Sequence, residues 1–187
     1  MTPVALGFRD EAAWAARLRA TLSSLDALLA LNRGYAESVV AEAEELLRAG
    51  GLTQAAEETF LAWKLAARHL LLKHLRRLVA RLGDVREAVK RLEDMGLRGV
   101  VSLAPSGEID VVVTTSNVVR VARLLAEHGE GRVAEEARRL LELRSDAFRL
   151  HTLFYEGVAE RAGFLDEAEA RETAERLLRL VRRVLGV

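Results

Sequence analysis

The chain has 187 residues, half of them apolar and 5% aromatic, with 28 basic and 28 acidic side chains that cancel. That length suits one domain with its own core, and zero net charge argues against a coat of cations laid along nucleic acid. The lack of cysteine excludes disulfides, thiolate metal sites and cysteine nucleophiles. With no signal peptide and no apolar run near the roughly 18 residues of a membrane span, a soluble, cytoplasmic protein is expected, with no membrane partner.

Leucine and alanine fill the apolar positions, as in packed helices. A first helix is predicted from Asp10 to about Asn32, where Trp14, Leu18, Leu22, Leu25 and Leu29 recur at steps of three and four. Asn32-Arg33-Gly34 is expected to break it. A second helix over Tyr35–Arg48 stops at Ala49-Gly50-Gly51. Thr53 then caps a third, running to about Leu82, with an apolar stripe that includes Phe60, Trp63, Ala67 and Leu71. Gly83 ends it, and Asp84 caps a short helix that closes at Gly96.

The period then changes. Val100–Ala104 and Ile109–Thr115 are β-branched runs around Pro105-Ser106-Gly107-Glu108, the pattern of a hairpin. Ile109, Val111 and Val113 share the face that must rest on helices, because an isolated hairpin is only marginally stable. A short helix over Val118 to about Glu127 follows, capped by Thr115 or Ser116. A long helix is predicted from Gly131 or Val133 to Ala162, stopped by Gly163. Asp166 caps the last one.

Charge is segregated along this plan. Residues 37–58 carry six acids and one arginine, and residues 64–91 carry nine basic side chains and two acids. One reading is a pair of complementary solvated faces. The other is a local anion or RNA surface on the third helix. Arginine outnumbers lysine 25 to 3, which GC-rich coding or a thermophilic habitat explains as readily as function does.

One constellation bears on chemistry. In R-S-D-A-F-R-L-H-T-L-F-Y-E-G (144–157), Arg144 and His151 are seven apart, an advance of about 700° that leaves them on one helix face. An imidazole can exchange the proton of a ribose hydroxyl near neutral pH. A guanidinium can grip a phosphate with two hydrogen bonds. The pair therefore suits cleavage of a phosphodiester without metal or other cofactor. Asp146, Tyr155 and Glu156 are candidate supporting residues, Glu156 either orienting the ring or facing solvent. The spacing alone is unspecific in so arginine-rich a chain, since Arg68–His74 and Arg123–His128 nearly repeat it. Glu108 and Asp110 offer a rival, as paired acids of a nucleotidyltransferase strand holding magnesium. The Gly-Ser loop such a strand requires is missing upstream, and hairpin turn chemistry accounts for the acids.

The stretch L-H-T-L-F-Y-E-G (150–157), on the penultimate helix, resembles the HEPN superfamily, above all its archaeal PaREP-type branch. A-E-A-E-E-L-L-R-A-G-G-L-T-Q-A-A-E-E-T-F-L-A-W-K (41–64) is similar to that family's first helical hairpin. The resemblance covers about 35–82 and 131–186. It implies a mainly α, HEPN-like up-and-down helical bundle; outside the resemblance, the residues themselves give 84–128 as a helix–hairpin–helix insertion and 1–32 as an N-terminal helix, all expected in a single domain over 1–187. The resemblance also implies a homodimer and, in many members, an Arg–His motif forming a metal-independent endoribonuclease site, here Arg144 and His151. Catalytic members usually carry Asn, Asp or His directly after the arginine, where this chain has Ser145 and then Asp146. Other members keep the fold as non-catalytic binding or dimerisation modules, and that alternative stays open beside the nuclease.

Overall fold

The computed structural model describes residues 7–187, with side chains from Ala13 onward; residues 1–6 of the expected N-terminal segment lie outside the described residues. The architecture is mainly α: α1 (Gly7–Arg48), α2 (Leu52–Leu82), α3 (Val85–Leu92), α4 (Val118–His128), α5 (Arg132–Glu142), α6 (Arg144–Glu156) and α7 (Glu167–Leu185). A π turn over Glu93–Leu97 and a two-stranded antiparallel hairpin, β1 (Val101–Leu103) and β2 (Ile109–Val111), stand between α3 and α4.

Four helices alternate in direction around one core. α1 runs against α2, since Asp26 pairs with Arg76 near one end while the Asn32 amide donates to the Leu65 carbonyl further along. α6 runs against α2 and α7, with Arg149 on Glu169 and Asp146 on Arg176. Arg182 grips Glu44 with two bonds, which fixes α7 to α1. α2 is the central element: seventeen of its residues are buried, among them Phe60, Trp63, Leu71 and Leu75 with no exposed surface.

The predicted break at Asn32–Gly34 does not occur, and α1 is continuous through it. A glycine inside a helix costs about 1 kcal/mol relative to alanine, too little to outweigh what lies on either side. Ala36, Val39, Val40 and Ala43 are buried against the bundle, and Arg33 pairs with Glu37 one turn on. Gly34 has open space where a Cβ would stand, whereas at Gly83, with φ +72, a Cβ would fall 2.5 Å from the Trp14 ring. Gly34→Ala is therefore expected to stabilise the protein by about 0.5–1 kcal/mol. Gly83→Ala should destabilise it by at least about 1 kcal/mol, because the left-handed cap penalises any side chain. Paired urea unfolding curves check both signs.

Several caps agree with the sequence reading. The Asp84 carboxylate accepts from the backbone N–H of Arg86 and Glu87, and that of Asp166 from Glu169. Two do not: α2 starts after Gly51 with no side-chain cap, and α4 after Asn117, whose side-chain oxygen accepts from the Thr114 N–H instead. The expected hairpin forms, with strands shorter than the predicted runs; Val101 faces Val111 and Leu103 faces Ile109, and Val111 is buried with Ile109 and Val113 packed against the core.

The single long helix predicted up to Ala162 is two. At Leu143 (φ −94, ψ 11) the ladder is interrupted. The Leu140 carbonyl accepts from the Trp63 indole at 3.2 Å and the Leu141 carbonyl from Arg144 at 3.1 Å. Both acceptors would otherwise serve the next helical turn. α6 then ends at Gly157 (φ 68), six residues before Gly163, the predicted stop.

Candidate functional site

α6 buries Ala147, Leu150 and Leu153 against the bundle, and this stripe turns His151 toward α2. Its Nδ1 lies 2.7 Å from Oε2 of Glu57, both side chains being about a quarter exposed. Beneath it the Phe60 ring stacks at 4.2 Å and 18°, and Tyr155 meets it edge-on at 5.1 Å. Phe60 is held in turn by Phe148 (5.4 Å, edge-on) and Trp63 (5.9 Å). The imidazole is thus fixed on one face by a fully buried ring and at one nitrogen by a carboxylate.

That arrangement selects a tautomer. A carboxylate only accepts, so Nδ1 carries the proton and donates it to Glu57, which leaves the Nε2 lone pair free in the neutral ring. Among the described residues Nε2 has no hydrogen-bond partner. A base oriented by a third group in this way is the arrangement that general acid–base chemistry uses.

The expected site residues fall into separate networks. His151 and Tyr155 come together. Arg144 opens α6 with its guanidinium exposed and turned back onto the Leu141 carbonyl. Asp146 lies between Arg176 (2.7 Å) and Arg149 (3.6 Å) as part of the α6–α7 seam. Glu156 is exposed, and Glu57 holds the ring in its place. Glu57 and Phe60 are the residues that sequence reading missed. Both lie in the quoted Ala-Ala-Glu-Glu-Thr-Phe run, but only the packing of α2 on α6 gives them a part in the site.

The surroundings are electrically lopsided. The Glu58 carboxyl is held above the usual range by burial first and then by the charges of Glu42 and Glu57. One end of the α2 face is therefore anionic. Further along it Lys64 lies over Phe60, its Nζ 5.2 Å from the ring centre, with Arg68 one turn beyond. The hairpin acids do not converge: Glu108 accepts from the Ser106 hydroxyl in the turn, and Asp110 sits on β2 opposite Ser102. Among the described residues no three His, Asp or Glu side chains are placed to hold a metal ion, and no helix is long and apolar enough to cross a membrane.

In comparison with known protein families, residues 32–178 match the archaeal PaREP1/PaREP8 family. No curated protein and no solved structure matches the chain.

Proposed function

Because the chain belongs to the archaeal PaREP1/PaREP8 family, whose pattern spans the Glu57–His151 pair, we propose that it is a metal-independent endoribonuclease of HEPN-like fold, acting as a cytoplasmic homodimer. The observation that carries this reading is the carboxylate-held, ring-stacked imidazole with Nε2 free. His151 takes the proton of a ribose 2′-hydroxyl; the O2′–P bond forms and the P–O5′ bond breaks. The departing O5′ takes up a proton, returned by the imidazolium, leaving a 2′,3′-cyclic phosphate and a 5′-hydroxyl. Arg144, exposed on the same helix, turns from the Leu141 carbonyl to a phosphate oxygen. Glu57 keeps the tautomer.

Incubation with a panel of labelled single-stranded and structured RNAs in EDTA tests this. Cleavage with cyclic-phosphate ends is expected, lost in His151→Ala and reduced about 10²-fold or more in Glu57→Gln, which keeps the shape but not the charge that stabilises the imidazolium. A folded wild type that cuts none of the panel overturns the reading.

A second reading has its own observation. Phe154, Tyr155, Val158 and Leu165 are exposed, Tyr155 by 71% and Leu165 by 84%, and such side chains serve a non-catalytic binding or dimerisation module. It predicts a gel-filtration mass of twice 20.6 kDa that falls to the monomer in Tyr155→Asp/Leu165→Asp, with no RNA cleavage by the wild type.

A further inference from the structure

Of the six lysines and arginines on α2, three are already engaged. Arg76 pairs with Asp26 and Arg81 with Glu130, while Arg77 donates to the Glu130 carbonyl. Lys73 is half-buried, its ammonium pushed down first by burial and then by Arg132, Arg77 and Arg33, with Glu136 pulling the other way. Lys64 and Arg68 differ. Neither pairs with a carboxylate among the described residues, and the Nε of Arg68 is buried with no hydrogen-bond partner. A buried donor left without an acceptor costs about 1–3 kcal/mol. Such a cost in a native protein calls for a reason.

The two cations stand at the edge of a crevice of about 230 Å³ between α2 and β2. Leu61 and Leu65 form its floor, and Asp110 to Val113 its far wall. Lys64 and Arg68 are four apart on one helix face, so their heads meet over the same space. The crevice is continuous in sequence with the candidate site. Glu57 and Lys64 are two turns apart on α2, about 10 Å along the axis, and Phe60 between them touches both His151 and Lys64.

We propose that this crevice is a phosphate subsite, in which Lys64 and Arg68 hold a phosphodiester of a single RNA strand next to the one that His151 acts on. On binding, the Arg68 side chain turns into the crevice, which uncovers Nε and lets the guanidinium take two phosphate oxygens, while Lys64 supplies a point charge. Leu61, Leu65 and Val113 give the attached sugar an apolar wall. Asp110 opposes the anion from the far side and limits affinity. The identity of the anion rests on the nuclease reading; the site itself rests on the unpaired cations and the space beside them.

The test separates the two. Fluorescence anisotropy with a fluorescein-labelled, fully 2′-O-methylated 12-nucleotide strand reads binding without cleavage, since the methylated ribose has no attacking hydroxyl. Lys64→Gln/Arg68→Gln is expected to weaken binding at least tenfold and to flatten the slope of log K against log salt by about 0.7 per lost contact. Asp110→Asn should tighten binding, and inorganic pyrophosphate should compete with the strand on the wild type but not on the double variant. Helical circular dichroism confirms folding, and Lys64→Arg/Arg68→Lys, which keeps both charges, should recover most of the affinity. A wild type that does not bind the strand, or a folded double variant that binds it equally well, overturns the subsite. Binding that depends on Lys64 and Arg68, without cleavage of the unmethylated strand, retires His151 chemistry and leaves the subsite standing.

Discussion

Trp63→Ala is expected to lower the free energy of unfolding by about 3–5 kcal/mol, the range for truncating a large buried aromatic. Trp63 has no exposed surface, stacks on Phe60, meets Phe148 edge-on at 6.0 Å and caps the Leu140 carbonyl. Truncation opens a void at the centre of α2 and strands a carbonyl at the α5–α6 break. Against a typical stability of about 5–15 kcal/mol this brings the protein close to unfolding. Trp63→Phe separates the two contributions: it keeps most of the apolar area and loses only the hydrogen bond, at about 1 kcal/mol plus the smaller ring's missing packing. Guanidinium unfolding reads both. An unchanged midpoint for Trp63→Ala would show that this cluster does not hold the bundle together.

The second large effect is an acid-dependent loss of stability centred on His69. This residue on α2 is 3% exposed, and neither ring nitrogen has a hydrogen-bond partner. Burial, then the neighbouring charges of Lys73 and Arg33, push its pKa down from 6.5 to about 4. The folded state keeps the ring neutral while the unfolded chain protonates it near 6.5. Above about pH 6.5 the two states bind equal protons and the stability is complete. Between about 6.5 and 4 the unfolded state binds the extra proton, so stability falls with pH, by about 3 kcal/mol when both have charged. His74, also 3% exposed and lowered mainly by burial, acts with the same sign. His69→Leu is expected to remove most of this slope, because an apolar side chain in that position has nothing to protonate and leaves no orphaned nitrogen. Unfolding free energies at pH 7.5, 6, 5 and 4 for both proteins check it. A variant with the same slope as wild type would place the titration on His74 instead, since the carboxyls of Asp26, held low by Arg76, and Glu169, held low by the Leu165 N–H and then Arg149, lose their contribution only at lower pH.

The two effects share an origin with the candidate site. α2 carries Trp63, His69, Phe60, Lys64 and Glu57 within thirteen residues, and its buried face sets the position of everything on its half-buried one. A change that loosens Trp63 releases Phe60, and with it the surface on which the His151 ring rests.

What the sequence by itself determined was local. Asp84 and Asp166 are side-chain caps, Gly83 ends α2, and Pro105–Glu108 turns a hairpin whose Ile109, Val111 and Val113 face inward. Each depends on atoms within about four residues, so composition and period reveal it. The tertiary structure alone decided the rest. Gly34 stays helical because of the packing beyond it, and a helix without glycine or proline breaks at Leu143 because Trp63, far off in the chain, takes the Leu140 carbonyl. Arg144 and His151, two turns apart on paper, engage different groups, and the partner of His151 is Glu57, 94 residues away. Helix periodicity tells which side chains share a face. Which helix that face meets, and at what level, is fixed only when α2 and α6 pack antiparallel on one core.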